Sequence, residues 1–75
     1  MKTGFTKNEE SIIQAICSLY HIQTRTYKQG VFIGMIPKNV RITLNGTYMM
    51  ELLNTGSVVY LEIKDGINVL IIMHQ

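Results

Sequence analysis

The chain has 75 residues, seven Lys and Arg against five Asp and Glu, 47% hydrophobic residues and one cysteine. This length allows a single domain over 1–75. The lone Cys17 excludes an internal disulfide, and no Cys/His run has zinc-type spacing, so a dense core or self-association must stabilise the fold. From His21 to Met50 there are four bases (Arg25, Lys28, Lys38, Arg41) and no acid, a bias that favours an anionic partner such as nucleic acid, against the plainer reading of ordinary solubilising charges on turns and outer faces.

The N-terminal segment predicts a helix over about 7–20. Thr6-Lys7-Asn8-Glu9 has capping-box form, and Glu9 and Glu10 suit the positive end of the helix dipole. Ile12, Ile13, Ile16, Leu19 and Tyr20 then recur at helical spacing, with Cys17 on the same stripe. A cysteine there reads as a small core hydrophobe rather than a nucleophile.

Five turn signals punctuate the remainder: Lys28-Gln29-Gly30, Pro37-Lys38-Asn39, Asn45-Gly46, Asn54-Thr55-Gly56 and Asp65-Gly66. Turns at such intervals predict an antiparallel β-meander over about 21–74. His21 to Tyr27 reads as an edge strand. Val31 to Ile36 is apolar on both faces. Val40 to Leu44 alternates, with Val40, Ile42 and Leu44 on one side, and Thr47 to Leu53 would pair with it across Asn45-Gly46. Tyr48 to Asn54 also contains good helix formers with Gly56 as a ready C-cap, but the preceding Asn-Gly favours the strand. Ser57 to Lys64 places Val59, Leu61 and Ile63 on one face and Val58, Tyr60, Glu62 and Lys64 on the other. Ile67 to Met73 is apolar on both faces except at Asn68.

The expected fold is therefore α+β: an N-terminal helix on a five- to six-stranded antiparallel meander. One helix cannot cover both faces of such a sheet. Either the sheet closes into a small barrel, or its surplus apolar face and its edges meet another copy, which predicts a homo-oligomer. Tyr60, Leu70 and Ile72 are the expected oligomer or partner contacts. The Met residues divide between core and an adaptable surface, with Met49 or Met50 facing outward.

No constellation supports catalysis. His21 and His74 lie in the first and last predicted strands and lack a third metal ligand. Glu62 and Asp65 are too close in the chain for an evident acid/base pair, and the glycines fall one per turn rather than in a phosphate-cradling loop. Asn45-Gly46-Thr47 matches a glycosylation sequon but reads as a turn. No enzymatic activity, cofactor or metal is expected. With no apolar run of about 20 residues and no leader pattern in Met1 to Glu10, the expected location is cytoplasmic, that of a host cell for a phage protein, with no membrane partner.

Gln23, Arg25 and Tyr27 share one strand parity and Lys28 follows, so Arg and Tyr side by side can hold phosphates and stack on bases. Arg41 and Thr43 would extend that surface if they lie on the same side. The first functional expectation is thus a non-enzymatic, oligomeric nucleic-acid-binding module for RNA or DNA through Arg25, Tyr27, Lys28, Lys38 and Arg41. The alternative is a protein-protein interaction module, such as a small phage or mobile-element protein that inhibits or adapts a host complex.

Two short stretches resemble known families. Tyr27-Lys28-Gln29-Gly30 and Ile63-Lys64-Asp65-Gly66-Ile67-Asn68-Val69 resemble a strand end and the later Ile-Arg-Gly-x-Asn-Val stretch of the Sm and Hfq-like family, which implies an RNA-binding ring. Asp65 is extra, Lys64 replaces the usual Arg, and that family's Asp-x-Met-Asn element is absent. Were Tyr48 to Asn54 helical, Arg41-Ile42-Thr43-Leu44 and the Asp65-Gly66 hairpin would resemble the AbrB-type swapped-hairpin fold, which implies a DNA-binding dimer, though the usual Pro after its first strand is missing.

Overall fold

The structure is a computed structural model that describes residues 3–43 and 46–75. Helix α1 spans Lys7–Leu19. Strands β1 (Arg25–Lys28) and β2 (Val31–Ile36) follow, then helix α2 (Thr47–Asn54) and strands β3 (Val58–Lys64) and β4 (Ile67–Met73). The described residues form an α+β fold with two helices and a four-stranded antiparallel sheet in the order β1-β2-β4-β3. It is neither a barrel nor a simple meander.

Helix α1 begins where the capping box requires. The Glu9 N–H donates to Thr6 Oγ1 at 3.1 Å, and the Thr6 N–H donates to Glu9 Oε1 at 2.8 Å. The helix buries Ile12, Ile13, Ile16 and Cys17. It ends at Tyr20, and His21 turns the chain with φ 55 while the Ile22 N–H returns to Cys17 O. The Tyr20 hydroxyl donates to Thr43 O at 3.0 Å and so anchors the connection between β2 and α2 to the helix layer.

The segment Thr47–Asn54 is the main departure from the sequence reading: it is a helix, not a strand. Gly46 (φ −69) is its N-cap rather than half of a hairpin turn, and Asn45 lies outside the described residues. Gly56, at φ 88, closes the helix: its N–H reaches Leu53 O and the Ser57 N–H reaches Leu52 O. Met49 and Leu52, three apart, are both buried. A helix places those two on one face, whereas a strand would point them to opposite faces. Arg41 to Thr43 is not a strand either, and Leu44 is not described.

Helix α2 also decides the topology. Strands β2 and β3 both run antiparallel to β4, so they are parallel to each other with β4 between them. Parallel strands need a long crossover, which the segment 37–57 supplies. Pro37-Lys38-Asn39 is a turn as expected, closed by the Val40 N–H donating to Pro37 O at 3.1 Å, and the hairpin turns are Gln29-Gly30, with Gly30 at φ 74, and Asp65-Gly66, with φ 53 and 76. The latter pair has the double positive φ expected of a type I′ hairpin.

Both helices lie on one face of the sheet. The core beneath them contains Phe32 and Ile36 from β2 and Leu70 and Ile72 from β4, with Ile13, Ile16, Ile22, Met49 and Leu52. Gly34 lets this layer close: a Cβ there would come within 2.8 Å of Ile22 and 2.9 Å of Phe32. The shortest dimension of the molecule, 18 Å, accommodates one helix layer and one sheet, and no described element covers the sheet's other face.

Candidate interaction surface

Strand register arranges the uncovered face in rows. Val31, Met73 and Val58 stand across β2, β4 and β3 in one row, with Lys28 of β1 at its end. Ile33, Ile71 and Tyr60 form the next row, ended by Thr26. Met35, Val69 and Glu62 form the third. Met35, Tyr60 and Met73 are 44%, 50% and 39% exposed, and Val31, Ile33, Val58 and Ile71 are half-buried by their neighbours alone. The result is a contiguous apolar block with one base and one acid at opposite corners. Beside its third row a cleft of about 470 Å³ opens between the β2 end and the α1 exit, lined by His21, Thr24, Met35, Pro37, Lys38 and Ile67 among others.

The residues expected to bind nucleic acid do not form one surface. Arg25 and Tyr27 share the helix side of β1: the Arg25 Nε donates to Ile22 O at 2.9 Å and its Nη1 donates to Gln14 Oε1 at 3.3 Å, while the Tyr27 ring packs 5.1 Å from Phe32. Burial raises the Tyr27 phenol above its ordinary range. Lys28 stands on the opposite face of the strand. Lys38 and Arg41 are exposed in the connection beyond β2.

Of the three expected partner contacts, only Tyr60 faces outward. Leu70 and Ile72 are 0% exposed under the helices, because their parity on β4 is that of the core. Strand β4 is also central rather than an uncovered edge; the edges are β1 and β3. On β4 the outward parity carries Val69, Ile71 and Met73 instead.

A second cluster escaped sequence reasoning because its members are remote in the chain. The Glu9 carboxylate is 1% exposed. Ser57 Oγ donates to its Oε2 at 2.5 Å, His74 Nδ1 lies 2.9 Å from Oε1 and 3.0 Å from Oε2, and Thr55 Oγ1 is 3.4 Å from Oε2. Burial alone would raise this carboxyl, but the hydrogen bonds from Ser57, the Thr6 backbone, His74 and the Thr6 side chain outweigh it and hold it at about 2, well below the usual 4.5. His74 is exposed just past the end of β4, where it binds Glu9 and packs edge-on to Phe5 at 6.2 Å between ring centres, whereas His21 is exposed at the exit of α1 rather than in a strand.

This cluster ties α1 to the α2–β3 connection and to the end of β4. Ser57 bonds the carboxylate directly. A nucleophilic serine would instead bond the imidazole, with the carboxylate on the far nitrogen. Cys17 is 1% exposed, and burial raises its thiol, opposite to what a reactive cysteine requires. Among the described residues, no group of three His, Cys, Asp or Glu side chains could hold a metal, and no helix is long and apolar enough to cross a membrane.

No protein-family model, curated protein or solved structure matches the chain. The two partial sequence resemblances find limited support in the fold. The open sheet with α2 between β2 and β3 is not the bent meander that the Sm and Hfq-like stretches imply. The helix and following hairpin of the AbrB-type pattern are present, but the described residues Arg41 to Thr43 of its first strand are not in a strand.

Proposed function

We propose that this chain is a non-enzymatic protein-interaction module that works through the uncovered face of its sheet. One observation carries this reading: the apolar block of Val31, Ile33, Met35, Val58, Tyr60, Ile71 and Met73 spans three adjacent strands with no described element over it. Contiguous apolar faces rimmed by polar residues mark interaction sites. Adaptable Met35 and Met73 beside the amphipathic Tyr60 suit a protein surface.

The test compares the native chain with Tyr60→Glu, a substitution at an exposed edge-strand position that leaves the core intact. At high dilution the native chain should bind an apolar fluorescent dye, and the variant should bind several-fold less with an unchanged circular-dichroism spectrum. Equal dye binding by both would remove the support for this face.

The acid-free stretch from His21 to Met50 supports a second reading, nucleic-acid binding, now centred on the exposed Lys28, Lys38 and Arg41. Filter binding of single-stranded and duplex probes at about 50 and about 200 mM salt tests it, because phosphate contacts make affinity fall steeply as salt rises. Retention that is absent at the lower salt would exclude it.

A further inference from the structure

We infer that the occupant of the uncovered face is a second copy of this chain, packed face to face about a twofold axis with the strands of the two sheets crossing near a right angle. The inference rests on the interaction reading above and specifies its partner.

The corners of the apolar block supply the argument. Lys28 ends the first row on β1, and Glu62 ends the third row on β3. Both are exposed and both belong to the outer face. Three strand spacings of about 4.8 Å and four residues of about 3.4 Å separate them, so the Lys28–Glu62 line runs at about 45° to the strands. A twofold axis perpendicular to that line, lying between the sheets, brings Lys28 of each copy onto Glu62 of the other. It crosses the strands at about 90°, one of the two recurrent angles for stacked sheets. An axis along the line would place Lys28 on Lys28 and Glu62 on Glu62, and like charges facing across an interface are strongly disfavoured. Lys64 lies one row beyond Glu62 and outside the block.

The area is sufficient for a modest dimer. With side chains included, the block covers about 20 Å by 20 Å, roughly 400 Å² on each copy, and side-chain relief raises the surface lost by the pair to the order of 1,000 Å², the lower bound for a specific interface. At that lower bound a weak, concentration-dependent dimer is expected.

Light scattering after size exclusion, from about 5 to about 300 µM, together with a charge-exchange series, tests the inference. The native chain should move from one to two chain masses across this range. Lys28→Glu and Glu62→Lys should each weaken the dimer about three- to tenfold at low salt, and the double variant should return to within about twofold of the native Kd. A native chain that stays monomeric throughout overturns the inference, as does a dimer whose double variant is no better than the single ones. The dye experiment separates the two levels. A monomer whose face binds dye sinks the second copy and leaves the interaction reading standing, whereas a monomer that binds none sinks both.

Discussion

Glu9 concentrates more of the fold on one side chain than any other residue. Its N–H donates to the N-cap Thr6, and its buried carboxylate accepts from the Thr6 N–H, Ser57, Thr55 and His74. A carboxyl held at about 2 against an ordinary 4.5 stabilises the folded chain fully above about pH 5, and that contribution is lost as pH falls toward 2. The pH-linked part is on the order of 3 kcal/mol. Glu9→Gln should therefore cost about 1–3 kcal/mol at pH 7 in urea unfolding, and the gap from the native chain should narrow by pH 3. A gap that persists unchanged to pH 3 would mean that the charge contributes little. His21 offers the opposite change. It occupies the left-handed position after α1 that glycine normally takes, at φ 55. His21→Gly should raise stability by about 1 kcal/mol, read as a higher urea midpoint at an unchanged slope.

At the scale of elements, α2 shows two local signals in competition. Asn45-Gly46 pointed to a hairpin, and its two strands would have been a fifth and a sixth in the sheet. The run Tyr48-Met49-Met50-Glu51-Leu52-Leu53 pointed to a helix, and tertiary packing sided with it because Met49 and Leu52 reach the core together only at helical spacing. Leu52→Ala should cost about 2–5 kcal/mol and Leu53→Ala less than about 0.5 kcal/mol, as judged by thermal unfolding, because Leu52 is 0% and Leu53 47% exposed. Equal costs at the two positions would contradict the helix. By contrast, α1, β2, β4 and the Asp65-Gly66 turn were legible from residues alone. There, capping, periodicity and turn chemistry all agreed, and no packing choice remained to reverse them.

At the scale of the whole molecule, the uncovered sheet face links stability to association. If a second copy covers it, the melting temperature should rise with protein concentration, because the dimer forms from folded chains only. A rise of a few degrees between about 5 and about 300 µM is expected for the native chain and none for Tyr60→Glu. A native melting temperature that ignores concentration would argue against coverage by a second copy. The candidate surface was only partly readable beforehand. Apolar residues on both parities of β2 and β4 did announce a second greasy face. Which residues lie on it depended on strand order and register. Leu70 and Ile72 belong to the core while Ile71 and Met73 belong to the surface, a distinction set by pairing with β2 and by where the helices pack. The basic residues divided similarly: Arg25 and Tyr27 turned toward the helix layer and Lys28 away from it.

Taken alone, the amino-acid order determined what short-range chemistry can determine: the capped first helix, the apolar strands, the glycine reversals and an excess of hydrophobic surface for so small a chain. Tertiary structure decided the identity of α2, the insertion of β4 between β2 and β3, the face that stays bare, and the gathering of Glu9, Ser57 and His74. The reason is one of range. Capping and turn preferences act between residues a few positions apart, whereas strand order and a buried carboxylate's partners are set by contacts between segments that meet only once the chain has folded.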